Sequence, residues 1–225
     1  LGDVYKRQML RLAMRISYAD ETTAQKYARQ ALNHTFGVMT SKSDEAQMST
    51  GAGMVFRNNI EWLANQYNEC RMSSSMFSYL LGYQDPRLSA YFEASPSAYA
   101  VAAFDGKNYQ AVPPGNANQQ NTIYTDFSKP NITSNTPTYW MRASEVYFLR
   151  AEAALRWGSE FGDAEALYEQ GVATSFDENG ISSSVDDYLA SGLTPIAHNM
   201  RASYYSYNCL LYTSPSPRDS PSSRM

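Results

Sequence analysis

An all-α fold, built from helix hairpins of tetratricopeptide type around a long irregular insertion, is what this sequence predicts. Two observations carry the expectation. Apolar residues recur at helical spacing in two pairs of segments, one early and one late in the chain. Between them, the stretch 38–140 holds only one short run of that period and is otherwise rich in Asn, Ser, Pro and Gly.

In the first pair, Leu10, Leu12, Ala13, Met14 and Ile16 form an apolar helix that stops near Tyr18-Ala19-Asp20. Asp20 is placed to cap the next helix, because a short carboxylate can accept the unpaired N–H groups of a first turn. That helix sets Ala24, Tyr27, Ala28, Ala31 and Leu32 on one stripe, and Gly37 ends the pair, which occupies 9–37. Within the insertion, Met72, Met76, Phe77, Leu80 and Leu81 share a helical face that Gly82 terminates, and Asp85-Pro86-Arg87-Leu88 reads as a turn leading into Tyr91-Phe92. The polar, broken run 113–121 predicts an exposed loop.

The second pair, 141–180, is the clearer one. Val146, Leu149 and Ala153 mark its first helix, with Ala151 and Ala154 small enough to let a neighbour approach, and the turn 158–162 reverses the chain. Asp163 caps a helix carrying Ala166, Leu167, Gly171, Val172 and Phe176, which Gly180 ends. Residues 181–208 read as irregular. The two pairs lie about 135 residues apart, far beyond the roughly 34-residue period of adjacent repeats, so something large is inserted between them.

The two ends read differently from the rest. Residues 1–8 and 209–225 correspond to translated library-adapter DNA, so the natural segment is expected to be 9–208, a fragment of one domain. The chain carries a net charge of -4, and its flanks contribute Lys6, Arg7, Arg218 and Arg224 against Asp3 and Asp219, which leaves the remainder near -6. An acidic segment without a basic stripe argues against nucleic acid as a partner. Cys70 is the one cysteine of 9–208, so no disulfide can form within it. No apolar run reaches the roughly 18 residues that a membrane helix needs.

The stretches LRLAMRISYADETTAQKYARQAL (10–32), GVMTS (37–41), RMSSSMFSYLLGYQDPRLSAYF (71–92), YWMRASEVYFLRAEAALRWG (139–158) and ALYEQGVATSF (166–176) together resemble the SusD/RagB family of nutrient-binding outer-membrane lipoproteins, SusD-like branch, in the family's order. The resemblance implies a helical fold of tetratricopeptide-like hairpins with a loop-rich insertion. It also implies a protein held by an N-terminal lipid on the outer face of the outer membrane, partnered with a TonB-dependent, SusC-like transporter to which it delivers oligosaccharides. Such proteins bind and do not cleave, and the family's lipid attachment signal is not found in this sequence. The matching motifs look like scaffold, so no ligand residue transfers with them.

Ligand contacts must therefore come from chemistry. Sugar sites present flat aromatic rings to the apolar faces of pyranoses, with amides and carboxylates for the hydroxyls. Trp62 with Asn65, Gln66, Tyr67 and Asn68 forms an aromatic and amide cluster, and Tyr109, Tyr124 and Phe127 lie in or beside the polar loop with Asn108, Asn118 and Gln120. The expected ligand-binding residues are Trp62, Tyr67, Tyr109 and Tyr124, against the plainer reading that such rings pin loops to helices. Tyr139, Trp140 and Trp157 abut hairpin helices and read as packing residues. Aromatic-rich loops suit a peptide as well as a sugar, and a scaffold that contacts the transporter alone would need no small ligand.

Other chemistries are weaker. Glu145 and Glu152 fall on one side of a helix roughly 10 Å apart along its axis at 1.5 Å per residue, near the carboxyl separation of inverting glycosidases. Neighbouring Arg142, Arg150 and Arg156 make ion pairs the expected use of those carboxylates, and no catalytic residue is expected. His34 and His198 are far apart and lack cysteine or acidic partners at zinc spacing, so no metal or cofactor is expected. Cys70 has no base to activate it, Gly51-Ala52-Gly53 lacks the flanking strand and lysine of a phosphate loop, and the sequons at Asn33 and Asn131 are expected to be unmodified.

Overall fold

In the computed structural model the described residues are 2–35, 37–51, 53, 55–113 and 121–195. In chain order they form α1 (Gly2–Ile16), α2 (Glu21–Leu32), β1 (Ala46–Met48), α3 (Asn59–Asn65), α4 (Ser74–Gly82), α5 (Leu88–Tyr91), β2 (Val101–Ala102), β3 (Asn108–Tyr109), β4 (Thr138–Met141), α6 (Ala143–Trp157), α7 (Ala164–Glu178) and α8 (Val185–Ala190). Among these residues helices dominate and the strands are only two to four residues long, as the fold class requires. The chain divides into two compact units, one from Leu1–Arg57 with Pro137–Leu189 and one centred on Asn58–Thr136.

In the first unit α1 packs on α2 and on α6, and α6 packs on α7. The Asp20 carboxylate accepts the Thr23 N–H at 2.9 Å, which starts α2 where the sequence places it. Ala24, Ala28 and Ala31 are buried, so the α2 backbone lies close to its neighbours, whereas Tyr27 on the same predicted stripe is exposed. Leu10, Met14, Met39, Met141, Val146, Ala153 and Phe161 close the core. The α6–α7 turn uses Gly158 at φ +98, a conformation that side chains resist. Asp163 accepts from Ala166 N–H at 3.0 Å to start α7. At Gly171 a Cβ would lie 2.7 Å from the Phe148 ring, so glycine there permits the close approach of α6 and α7.

The N-terminus of α6 is capped from across the hairpin. Arg142, the residue before it, makes no side-chain cap, and the buried Glu178 of α7 instead accepts from Ser144 N–H at 2.8 Å and Ser144 Oγ–H at 2.6 Å. Arg142 bonds Glu45 at 3.0 Å, approaches Glu178 at 3.2 Å and stacks over Tyr139 at 4.3 Å. β1 and β4 pair antiparallel beside this cluster, with Ala46 opposite Met141 and a bulge between Ala46 and Gln47. Trp140, expected to pack, is exposed, because it alternates outward along β4 while Met141 turns in. Trp157 does pack, against Phe161 at 5.2 Å, and its indole N–H donates to Glu21 at 3.0 Å.

Among the described residues, apolar hollows lie on this unit's surface. One, about 460 Å³, lies between α1 and α2 and is lined by Met9, Leu12, Ile16 and Tyr27. Another, about 550 Å³, lies along α6 and α7 against Phe148, Leu155 and Tyr168.

The second unit is organised by short backbone links. Buried Asn58 opens α3: its N–H donates to Ser134 C=O, its amide N–H donates to Thr136 C=O and its Oδ1 accepts from Ile60 N–H, each at 2.9 Å. Met72 N–H donates to Ser128 C=O at 2.9 Å and Val112 N–H donates to Met72 C=O at 2.8 Å, which fixes the segment before α4 between two others. Met72, expected on the helix, therefore precedes it, and Phe77, Leu80 and Leu88 build the core with it. The turn at Asp85 is held by Arg87, whose N–H and Nε donate to the carboxylate at 2.9 and 2.8 Å. β2 and β3 form a hairpin with Val101 opposite Tyr109. Most of the predicted polar loop, with Asn118 and Gln120, lies outside the described residues, as do Ala52, His198 and the stretch 196–225.

Candidate functional site

The four expected ligand residues all belong to the second unit, where burial divides them into two kinds. Tyr109 has no exposed surface, lies 6.1 Å from Phe77 and donates its hydroxyl to Asp105 at 2.7 Å. Burial first, and then the Asp105 carboxylate, push the phenol pKa well up, so the hydroxyl stays a donor. Tyr124 is 9% exposed and meets Phe127 edge-on at 5.2 Å over Val112 and Ile123. Both rings have their faces occupied by protein, so they serve as core and cannot stack on a ligand. The reason lies in the backbone: Tyr109 faces inward in a strand whose Asn108 faces out, and Tyr124 ends the 3₁₀ turn Asn121–Tyr124.

Trp62 and Tyr67 behave differently. They are 43% and 49% exposed, and their rings meet edge to face with centroids 5.0 Å apart and planes at 69°. The arrangement leaves ring surface facing water, with Ile60 and Leu63 also exposed on the same short helix. Trp62 lies within α3, and its carbonyl accepts from Gln66 N–H at 2.8 Å and Tyr67 N–H at 3.3 Å, so the two rings are five residues apart around one helix end. Asn65 donates to Glu61 at 3.2 Å, an amide and a carboxylate on the same short helix as Trp62. Asn68 adopts φ +60, the left-handed conformation that ends helices, which Asn tolerates better than most residues.

What the sequence does not disclose is how this helix end is held. Arg71 donates from Nε to Tyr124 C=O at 2.6 Å, from Nη1 to Cys70 C=O at 2.7 Å, and from Nη2 to Thr125 C=O at 3.3 Å and to the Asn68 side-chain oxygen. Asn68 in turn donates to Thr125 Oγ1 at 3.1 Å. Desolvation lowers the Arg71 pKa, opposed by Cys70 and Asp126, yet a guanidinium stays charged across the accessible pH range. Contacts separated by more than fifty residues leave no local pattern in a sequence.

The carboxylates considered for catalysis are neutralised. Glu152 pairs with Arg156 at 2.7 Å, as expected, while Glu145 pairs with Arg11 rather than with Arg142. Arg142 lies outside the helix with extended backbone, so its side chain leaves the helix surface and reaches Glu45. Among the described residues no group of three or more His, Cys, Asp and Glu could hold a metal ion. Cys70 is half-buried beside Arg71, and no described helix is long and apolar enough to cross a membrane.

With this geometry in place, comparison with known proteins is specific. The family model SusD-like, "Susd and RagB outer membrane lipoprotein", matches residues 6–215. A chitin-binding SusD homologue from Flavobacterium johnsoniae is 35% identical with a TM-score of 0.71, over 82% of this chain and 36% of its own. A SusD-like protein from Bacteroides thetaiotaomicron is 35% identical with a TM-score of 0.75, over 88% of this chain and 40% of its own. A SusD homologue from Bacteroides uniformis is 30% identical with a TM-score of 0.75, over 91% and 41%. The chain thus spans about two fifths of the length of the solved structures it matches. Among curated proteins none matches. The chain belongs to the SusD-like family of SusD and RagB outer-membrane lipoproteins.

Proposed function

We propose that this chain is part of a non-catalytic glycan-binding protein at the outer-membrane surface, held by a lipid anchor, that delivers oligosaccharides to a TonB-dependent transporter. The single observation that carries the binding role is the exposed edge-to-face pair Trp62 and Tyr67 at the end of α3, a helix that also carries the bonded pair Asn65 and Glu61. Two rings at an angle can cradle the apolar face of a pyranose, and the amide and carboxylate supply hydrogen bonds to its hydroxyls. Family membership supports the surface location, and the chitin-binding relative supports N-acetylglucosamine oligomers as the first ligand to try. Pairing of Glu145 with Arg11 and of Glu152 with Arg156 supports binding without hydrolysis.

Isothermal calorimetry with chitohexaose and a panel of other oligosaccharides tests the reading. Saturable binding that a Trp62→Ala, Tyr67→Ala double variant loses is the expected result. At about 100 times its dissociation constant the sugar stabilises the protein by roughly 2.7 kcal/mol, which a thermal melt resolves. Full affinity in the double variant, or binding to peptides and to no glycan of the panel, would sink the proposal.

A further inference from the structure

We infer that Arg71 is a positioning residue for the Trp62–Tyr67 surface, fastening the turn that carries Tyr67 to the turn at Tyr124 and Thr125. The inference rests on the glycan-binding reading above for its consequence, and on geometry alone for its mechanism. Three features single out this side chain.

The first is the set of acceptors. All four of its partners are carbonyl oxygens: Tyr124 at 2.6 Å, Cys70 at 2.7 Å, Thr125 at 3.3 Å and the Asn68 side-chain amide. Among the described residues no carboxylate hydrogen-bonds it, and Asp126 acts on it only through its charge, so the guanidinium is used chiefly for the directions of its donors. Five N–H groups in a rigid plane can address acceptors fanned over two chain segments, and a lysine, with three donors on one nitrogen, cannot.

The second is reciprocity. Asn68 is held at both ends of its amide, its oxygen by Arg71 and its nitrogen by Thr125 Oγ1 at 3.1 Å, and Thr125 Oγ1 donates onward to Thr122 C=O at 3.0 Å. The third is the backbone. Asn68 adopts φ +60 immediately after Tyr67, a left-handed turn that asparagine tolerates and that the contacts of its amide hold in place. This turn follows Tyr67 directly, so holding it restrains the backbone from which the Tyr67 ring projects. Trp62 is set by α3 itself, so the 5.0 Å contact between the rings depends on the helix on one side and on the Arg71 lock on the other. Release of the lock lets Tyr67 leave its angle to Trp62, and the ligand must then bear the cost of ordering it.

The test uses the whole chain, with chitohexaose as probe, and two readouts. In the free protein, hydrogen exchange of the amides at 66–71 and 124–128 is compared between wild type, Arg71→Ala and Arg71→Lys. Faster exchange in both segments, with α6 and α7 unchanged, is expected for both variants, and unchanged exchange in either segment overturns the inference. In binding, each Arg71 variant is expected to lose about tenfold in affinity, and Arg71→Ala added to Tyr67→Ala is expected to cost nothing more. Losses that multiply would mean that Arg71 acts independently of the ring, which also overturns it.

Should Arg71→Ala fail to fold, Asn68→Gly removes only the held amide and accepts φ +60 without strain. It is expected to weaken binding in the same direction at an unchanged melting temperature, and unchanged affinity would count against the lock. Failure of the glycan reading looks different. There, wild type ignores chitohexaose or Trp62→Ala leaves binding intact, while the exchange comparison still decides the role of Arg71.

Discussion

Replacing Arg142 by alanine removes a cation shared by two buried carboxylates, so the cost can be worked from the structure. The side chains of Glu45 and Glu178 are 3% and 1% exposed, and Arg142 lies 3.0 and 3.2 Å from them. Glu178 retains Ser144 N–H and Oγ–H as donors, whereas among the described residues Arg142 is the cation that neutralises Glu45. Removing one partner of a buried ion pair costs about 3–5 kcal/mol, because a charge is left uncompensated in a poor dielectric. At about 2–4 °C per kcal/mol for a chain of this size, the melting temperature should fall by roughly 6–20 °C.

The pH dependence has a defined sign. Burial, and then the nearby Glu178, hold the Glu45 pKa above its ordinary value against the pull of Arg142. A carboxyl with a raised folded pKa contributes stability that is fully present below its unfolded pKa near 4.5 and is lost as pH rises through the folded value. Without Arg142 that rise grows larger, so the variant regains stability on acidification more than wild type does. Urea melts followed by far-ultraviolet circular dichroism at pH 7 and pH 5 are the assay. Adding Glu45→Gln to Arg142→Ala should recover part of the loss at pH 7, since the two residues are in contact and couple. A loss under 1 kcal/mol, or one equal at both pH values, would refute this reasoning.

Three further outcomes follow from the same unit. Gly171→Ala drives a Cβ to 2.7 Å from the Phe148 ring and should cost about 1–3 kcal/mol in a denaturant melt, as overpacking does. Asp163→Ala removes the α7 cap and should cost about 1 kcal/mol, with Asp163→Asn nearly neutral. The hollows at Leu12 and Leu155 leave apolar surface in water, Leu155 being 79% exposed, so sedimentation of the purified chain should show concentration-dependent association that Leu12→Glu and Leu155→Glu together reduce. A monomer at all concentrations would contradict that expectation.

The sequence disclosed what is local and periodic. The stripe Ala24, Ala28 and Ala31 and the caps Asp20 and Asp163 each occupy one turn of chain, and helices form where they stand. It did not disclose α3, because NIEWLAN is two turns long and shows no repeat of its period. Nor could it show that Glu178 would cap α6, or that Ala46 would face Met141, since those pairs are distant along the chain. The same limit governed the site. Trp62 and Tyr67 meet because one short helix end sets their geometry, whereas the burial of Tyr109 and Tyr124 depends on strands and turns contributed from elsewhere.

This division of the aromatics has a physical logic that bears on affinity. A ring in an unsupported loop must be ordered when a ligand arrives, and each side chain so immobilised costs about 0.5–1.5 kcal/mol. Tyr109 and Tyr124 are spent on making the second unit rigid, the first through Phe77 and Asp105 and the second through Phe127. The carbonyl that follows from that packing, at Tyr124, is the acceptor for Arg71, and Arg71 fixes the turn bearing Tyr67. Buried rings thus prepare the exposed ones. A variant that loosens Tyr124 without touching the ligand surface, such as Phe127→Ala, should weaken sugar binding through the same chain of contacts, and by no more than Arg71→Ala does.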